Sequence, residues 1–256
     1  MVKNPWILAG ILLIIMILCY GFLETKPSDL RQSDEVRLKN LTAIGVENIL
    51  LAEQNKLTEA QKAELSELET GFNQEKTDSI KSETAKKLSG FWYQKSVFAL
   101  AGHYAEEVAK IEKSGESWAI AATSYIEGLD SEQKDVKDLC LKKAEEMSQN
   151  AISLEPNNPD YRLNLATAYI KYPTDNPMQG ILMMRDLEKQ FPDYLPVKLT
   201  LAQLSIQTGQ WDKAEERLRK LIQDYPNQKD AYCLLADVLV EKGKPEEAEK
   251  VRLNCK

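Results

Sequence analysis

The sequence predicts an all-α protein, and two observations lead to that prediction. The 256 residues include only 11 Gly and 10 Pro, whereas straight-chain residues that lose little side-chain freedom in a helix are abundant. Prolines that follow apolar helical stretches recur at a nearly constant spacing, at Pro156, Pro192 and Pro226. With 43% hydrophobic and 29% charged residues, the composition is that of a globular protein rather than a disordered one. We therefore expect a repetitive helical architecture with a buried core.

An apolar run near the N-terminus predicts a membrane anchor. The run, WILAGILLIIMILCYGFL, extends over 6–23. As a helix it would rise about 27 Å, which is close to the thickness of the hydrocarbon core of a bilayer. The small residues of a signal-peptidase site do not follow it, so we expect the segment to remain attached to the chain. Residues 1–27 are thus predicted to form a short tail and a single transmembrane helix.

The side of the membrane that the remaining chain faces is less constrained. Lys3 precedes the run, and four cations follow it within the counted window, namely Lys26, Arg31, Arg37 and Lys39. This charge distribution does not decide the orientation. A short tail before a single apolar run resembles the bacterial signal anchors that leave the tail in the cytoplasm. We expect a single-pass protein of the inner membrane with a periplasmic soluble domain, and a cytoplasm-facing domain is the alternative.

The proline spacing marks a helix-pair unit of about 34 residues. In 195–228, Gly209 falls in the turn between two predicted helices, and Pro226 follows the second helix. Glycine ends a helix because it adopts a left-handed conformation without a Cβ penalty, and proline ends one because it lacks an N–H. Small residues at fixed positions should let the paired helices approach closely. They are Ala122, Ala166, Ala202 and Ala236 in the first helices and Ala144, Gly180, Ala214 and Ala248 in the second helices.

This spacing resembles that of the tetratricopeptide repeat (TPR) family. In 115–158, one group of residues matches W-x2-L-G-x2-Y and a second group matches A-x3-F-x2-A-x4-P. They are Trp118, Ala121, Ala122 and Tyr125, followed by Ala144, Ser148, Ala151 and Pro156. The loop between the two groups, through GLDSEQKD, is about ten residues longer than the pattern. The resemblance implies an α-solenoid over 115–256 with repeats at 115–158, 159–194, 195–228 and 229–256, the last one truncated.

The segment between the anchor and the repeats has two parts. Residues 28–84 are highly charged and mostly helical in pattern, and Leu57, Thr58 and Gln61 form a staple and capping box that predict a helix start. Residues 85–114 contain the aromatic stretch FWYQKSVFAL. They are a candidate for a degenerate TPR-like helix pair, and whether they form a true repeat stays open.

Residues that usually carry chemistry are sparse. His103 is the only histidine, and no hydrolase or phosphate-binding motif occurs. A net charge of −7 disfavours nucleic acid as a partner. We therefore expect no enzyme activity, no cofactor and no metal site. Outside the apolar run, Cys140, Cys233 and Cys255 are odd in number, which disfavours an obligatory disulfide framework and leaves open whether any two pair.

The function that the resemblance implies is the binding of a protein or peptide partner. In the TPR family the first helices line a concave groove, and here the residues opposite the packing pair would face it. These candidate groove residues are Thr123, Glu127, Leu163, Thr167, Ile170, Lys171, Leu199, Gln203, Ile206, Gln207, Asp237, Val240 and Glu241, with Cys233 beside them. Family members that bind acidic chaperone C-termini use lysine and asparagine at two such positions, which this chain lacks. A segment with apolar anchors would fit better.

The whole chain is similar in organisation to single-pass membrane-anchored TPR proteins of the Gram-negative envelope. This similarity implies a scaffold that holds a partner near the bilayer, for example during envelope protein assembly. The alternative is a structural self-association element of a membrane complex, in which the helices before Thr84 bring copies together. A homo-oligomer therefore stays open, and no residue identifies the partner.

Overall fold

The structure is a computed structural model that describes residues 45–75, 77–173, 176 and 178–255. Within these ranges every regular element is helical, as the composition predicts. The twelve α-helices are α1 (Val46–Gln54), α2 (Glu59–Gln74), α3 (Asp78–Gln94), α4 (Phe98–Glu112), α5 (Gly115–Glu127), α6 (Lys134–Leu154), α7 (Pro159–Lys171), α8 (Gln179–Gln190), α9 (Leu195–Gln207), α10 (Trp211–Asp224), α11 (Lys229–Glu241) and α12 (Pro245–Arg252), and a short 3-10 helix lies at Gly128–Asp130.

The chain divides into two compact units, Met1–Leu51 and Ala52–Lys256. Of the first unit, the described residues are 45–51, which include the start of α1. The predicted membrane span at 6–23 lies outside the described residues. Among the residues that are described, no helix has both the length and the apolar character needed to cross a bilayer.

The second unit is a succession of packed helix pairs. From α3 to α12, each helix contacts the next one in the chain. The pairs α7–α8, α9–α10 and α11–α12 lie within the predicted units 159–194, 195–228 and 229–256. This arrangement produces a core that runs through the layers, because no single pair can bury its own apolar face.

The small residues of the repeat lie at close helix contacts and its turn glycines end helices, as the pattern predicts. The seven alanines at the close-approach positions are 0% exposed: Ala122, Ala144, Ala166, Ala202, Ala214, Ala236 and Ala248. A Cβ atom on Gly180 would lie 2.6 Å from the carbonyl oxygen of Ala166, so only glycine fits there without a shift. Gly209 and Gly243 have φ values of +67° and +72°, which confirms their left-handed conformation at the ends of α9 and α11.

The predicted long loop in 115–158 is wrong. The GLDSEQKD segment forms the 3-10 helix and then enters α6 at Lys134, so that α6 is 21 residues long. The early part of α6 carries Leu139 and Cys140, which are 8% and 0% exposed. Because these side chains add apolar contacts, the inserted residues extend a helix instead of a loop.

The helices before the repeats are also built on local signals. The predicted capping box is confirmed, since Thr58 Oγ1 accepts from the Gln61 N–H at 3.3 Å and Gln61 Oε1 accepts from the Thr58 N–H at 3.0 Å. Further on, α3 and α4 form a packed pair over 78–112, whose core includes fully buried Leu88 and Trp92. Whether this pair is a degenerate repeat stays a prediction.

One buried carboxylate joins α4, α5 and α6. Glu106 in α4 is 3% exposed and accepts hydrogen bonds from Tyr125 Oη at 3.0 Å and Lys143 Nζ at 2.9 Å. Lys110 Nζ lies 3.0 Å from the same carboxylate. Burial alone would raise the pKa of Glu106, but the hydrogen bonds from the two lysines outweigh it and the pKa is lowered.

A second carboxylate joins α10 to α11. Glu215 in α10 accepts from Lys242 Nζ at 2.6 Å and from Arg219 Nη2 at 2.7 Å, and Lys244 Nζ lies 3.4 Å away. The hydrogen bond from Lys242 is the largest influence on this group, and together the cations lower the pKa of Glu215 to about 2. The carboxylate is therefore ionised throughout the pH range in which most proteins are folded.

A disulfide joins the C-terminus to the last repeat. Cys233 in α11 is bonded to Cys255, with the two Cα atoms 5.0 Å apart, and the closed segment contains α12. Cys140 is free and buried, and burial raises the pKa of its thiol to about 12. The question of cysteine pairing that the sequence left open is thus answered by one disulfide across 22 residues.

Candidate functional site

A groove lies between α3 and α5. Its volume is about 820 Å³. It is lined by residues of α3, α4 and α5 and of the start of α7, including Lys86, Gly90, Tyr93, Ala105, Val108, Glu112, Glu116, Ile120, Thr123, Asp160 and Asn164. We call this space the α3–α5 groove.

The floor of the α3–α5 groove is the helix α4. Because α4 packs against both α3 and α5, it lies between them and keeps them apart. Ala105 and Val108 of α4 line the groove and are 3% and 6% exposed. The floor is therefore apolar and made of small side chains, which leaves depth above it.

Two large apolar side chains stand on the walls. Tyr93 of α3 is 48% exposed and Ile120 of α5 is 55% exposed, and both line the groove. The ring of Tyr93 contacts Phe98 edge-on, with centroids 5.1 Å apart, so it is held in place although one side is open. Exposed apolar surface of this kind costs free energy, about 25 cal/mol per Å², that a bound partner would recover.

One end of the groove is acidic. It contains Glu112 at the end of α4, Glu116 in the first turn of α5 and Asp160 in the first turn of α7. Lys86 Nζ lies 2.6 Å from Glu112 Oε1, and hydrogen bonds from Lys86 and Ser82 lower the pKa of Glu112. Three carboxylates against one ammonium group leave this end with a formal charge of −2.

The other side of the groove is closed by a contact between α5 and α7. Asn164 Nδ2 donates a hydrogen bond to Thr123 Oγ1 at 3.2 Å, and both residues line the groove. Thr123 in turn donates to the carbonyl oxygen of Ala119 at 2.9 Å. The α5–α7 boundary is thus bridged, whereas the α3–α5 boundary is open.

Gly90 has no visible structural reason to be a glycine. It lies inside α3 with helical backbone, and a Cβ atom there would meet no heavy atom within 4 Å. A glycine in a helix interior costs roughly 0.5–1 kcal/mol relative to alanine. Because Gly90 lines the α3–α5 groove, the space beside it is part of the groove itself.

The sequence-predicted groove residues lie in two environments, partly buried against the core and exposed to solvent. Four aliphatic ones, Leu163, Ile170, Leu199 and Ile206, pack, partly buried, against core clusters. Thr167 is partly buried too, and its hydroxyl donates to the carbonyl oxygen of Leu163 at 2.8 Å. The exposed ones are Thr123, Lys171, Gln203, Gln207, Asp237, Val240 and Glu241, and Cys233 forms the disulfide.

Three charged members of that set, Glu127, Lys171 and Asp237, form ion pairs with neighbours. Lys171 Nζ lies 2.8 Å from Asp130 and 3.5 Å from the half-buried Glu127, and Arg252 pairs with Asp237 at 3.1 Å. Only Thr123 of the predicted set also lines the α3–α5 groove. A role of the others in binding a partner stays a prediction.

Sequence reasoning missed the walls of the groove. Tyr93 and Ile120 sit in apolar stretches that read as core, and nothing in the pattern shows that α3 and α5 are separated. The one available signal was Gly90, a glycine in the candidate helix pair 85–114 that no turn motif explains. Among the described residues, no group of three metal-binding side chains comes together.

The comparison with known families assigns the repeat. Residues 179–232 match the model described as tetratricopeptide repeat, over α8, α9, α10 and the start of α11. This segment is similar to tetratricopeptide repeats. The TPR spacing read from the sequence is therefore confirmed there, and the structure shows the matching helix pairs. No curated protein matches the sequence.

Several solved TPR structures are similar to this chain at low identity. A thermophilic TPR protein from Thermus thermophilus, TTC0263, is 17% identical, with 68% of this chain and 89% of that chain covered and a TM-score of 0.48. PilF from Pseudomonas aeruginosa is 15% identical, with 68% and 76% covered and a TM-score of 0.46. YrrB, described as a TPR protein with an unusual peptide-binding site, is 14% identical, with 67% and 83% covered and a TM-score of 0.40. Similarity at this level carries no argument about function.

Proposed function

We propose that this protein is a TPR scaffold that binds a segment of a partner polypeptide on the side where its first helices lie. The observation that carries the proposal is the α3–α5 groove. It combines a buried apolar floor with exposed Tyr93 and Ile120 on its walls. Concave, largely apolar sites with a few polar groups at the edge are the usual form of binding sites, and aromatic side chains are enriched in them.

We propose in addition that the apolar run at 6–23 anchors the scaffold in the inner membrane and that the helical domain is periplasmic. The disulfide between Cys233 and Cys255 supports this orientation, because disulfides form and persist in oxidising compartments. A cytoplasm-facing domain is the alternative. Protease added to intact spheroplasts separates the two, since it degrades the helical domain only if that domain is outside the cytoplasm.

The binding proposal is tested by photo-crosslinking in cells. A photoreactive amino acid replaces Ile120 in the α3–α5 groove, Gln203 on α9 and, as a control, Lys87 on α3, which is exposed and does not line the groove. We expect a discrete adduct with another protein from Ile120 and none from Lys87. Equal adducts from Ile120 and Lys87 would contradict a groove-directed interaction. An adduct with the mass of two copies of this chain would favour self-association instead.

A further inference from the structure

The charge and shape of the α3–α5 groove indicate the chemistry of what it binds. We propose that the bound segment places an aliphatic or aromatic side chain beside Tyr93 and Ile120 and a lysine or arginine at the acidic end formed by Glu112, Glu116 and Asp160. The inference rests on the proposed function and adds the type of partner segment to it.

The acidic end favours a cation because its carboxylates are incompletely paired. Glu116 makes no hydrogen bond or ion pair within the part of the chain that the structure describes. Asp160 accepts a hydrogen bond from the neutral hydroxyl of Tyr194, which leaves its charge in place. Only Glu112 has a cation, Lys86, beside it. A cleft lined by one sign of charge concentrates ligands of the opposite sign.

The middle of the groove favours an apolar side chain. Ile120 and Tyr93 stand above the buried Ala105 and Val108, and the rest of this part is formed by Ser89, Gly90 and Ala119, all of them small. A ligand side chain inserted here would cover apolar surface that solvent now reaches. Small wall residues also let the ligand backbone come close.

The glycine at position 90 gives independent support for a ligand in this space. Its missing Cβ relieves no contact inside the protein, since nothing lies within 4 Å of that position. The cost of a helix-interior glycine is therefore unexplained by the fold itself. A ligand backbone packed against α3 accounts for it, because any larger side chain would project into the groove.

The distance between the acidic end and the apolar wall sets a spacing in the ligand. Glu116 at the acidic end and Ile120 on the wall are separated by four residues of α5, which corresponds to about 6 Å along the helix. The cation and the apolar side chain should therefore be about two residues apart in an extended segment, or about four in a helical one.

A random library of 12-residue peptides, displayed on phage and selected on the full chain in detergent micelles, tests the proposal. We expect enrichment of Lys or Arg together with Leu, Phe, Tyr or Trp at one of these spacings. The enriched peptide is then synthesised with a fluorescent label, and its affinity is measured by anisotropy. Affinity should fall as salt is raised, because part of the attraction is between opposite charges.

Three variants and one matched control locate the binding. Glu116→Lys and Ile120→Asp should each weaken the labelled peptide by tenfold or more, and Gly90→Trp should abolish binding by filling the groove. Lys87→Trp places the same bulk on the same helix outside the groove and should leave the affinity unchanged. Circular dichroism of each variant confirms that the helices are intact, since all four positions are at least partly open to solvent.

Selected peptides that are acidic would overturn this inference. So would peptides that bind the Gly90→Trp and Glu116→Lys variants as tightly as the unmodified protein. If such peptides were displaced by substitution of Gln203 or Asp237, the proposed scaffold function would survive with a different binding surface. A selection without any enriched peptide, together with no adduct at Ile120, would overturn both.

Discussion

The helices α3–α6 and the C-terminal repeats α9–α12 differ in how their first helices meet. In the repeats, α9 and α11 contact each other, and Leu199 and Ile206 pack, partly buried, against the shared core. Between α3 and α5 the corresponding space is the open groove, with Tyr93 and Ile120 exposed on its walls. Both regions use a buried glutamate to join adjacent helix pairs, Glu106 in one and Glu215 in the other. A buried glutamate thus joins helix pairs both where α9 and α11 are in contact and where α3 and α5 are separated by the groove.

Removal of the disulfide should have the largest effect, and only on the C-terminal region. A disulfide that closes a loop of this size stabilises by about 3 kcal/mol in the chain-entropy model. In the double variant Cys233→Ser/Cys255→Ser we expect faster hydrogen exchange in α11 and α12 and unchanged exchange in α3–α6, because each pair contacts only its neighbours. Reduction of the unmodified protein should reproduce the change and should have no effect on the double variant. Equal loss of protection in both regions would contradict this separation.

Substitution of two glycines, Gly102 in α4 and Gly180 in α8, compares the packing of α3–α6 with that of the repeats from α7 onward. A Cβ on Gly180 would lie 2.6 Å from a backbone oxygen, and one on Gly102 would lie 2.7 Å from the ring of the fully buried Tyr125. Gly180→Ala and Gly102→Ala should each destabilise by about 2 kcal/mol, measured by denaturant unfolding, because neither neighbour can move freely. Gly71→Ala is the control, since its nearest neighbour is at an ordinary 3.7 Å. If Gly102→Ala were neutral, the region that carries the groove would be packed more loosely than the structure shows.

The two glutamates should give both regions a dependence on acid. Each has a folded pKa below its ordinary value, so its stabilisation is present at neutral pH and is lost as the pH falls through the folded pKa. For Glu215 the loss should extend from about 4.5 down to about 2. Glu106→Gln should destabilise by about 1.5 kcal/mol at pH 7, the usual worth of a hydrogen bond to a charged group. Thermal unfolding from pH 7 to pH 2 measures both.

The matched variants Glu106→Gln and Glu215→Gln measure how much each carboxylate contributes to the dependence of stability on pH. Each should flatten the pH dependence below 4.5 relative to the unmodified protein, because a glutamine does not titrate. An unchanged slope in Glu215→Gln would contradict the role assigned to that carboxylate. Glu64, which is exposed and far along the chain on α2, provides a control as Glu64→Gln.

The smallest expected effects have opposite signs in the two regions. Gly90→Ala should stabilise the protein by about 0.5–1 kcal/mol, because alanine is the better helix former and nothing opposes its Cβ. Gly209→Ala should destabilise it by about 1 kcal/mol, because the left-handed backbone at φ +67° disfavours a Cβ. Thermal melts of the two variants measure both signs. A destabilising Gly90→Ala would show that Gly90 serves the fold and would remove it as support for the groove.

Local chemistry made much of the fold predictable. The capping box at Thr58 and Gln61, the left-handed glycines and the small residues at helix contacts depend on neighbours within about one turn or on a repeated partner. The inserted residues before Lys134 were predicted as a loop because polar GLDSEQKD gives no helical periodicity. In the structure 128–130 form a 3-10 helix and α6 begins at Lys134, where packing against α5 accompanies the burial of Leu139 and Cys140.

What the sequence by itself determined is the helical class, the TPR spacing of α9 and α10, and where the paired helices begin and end, because these follow from propensity, caps and a fixed period. Only the tertiary structure decided that Leu199 and Ile206 are packed while Tyr93 and Ile120 are open. The reason is that exposure depends on the separation of whole helices, which α4 sets between α3 and α5 and which no residue encodes locally. The same holds for the pairing of Cys233 with Cys255, which required α12 to fold back on α11.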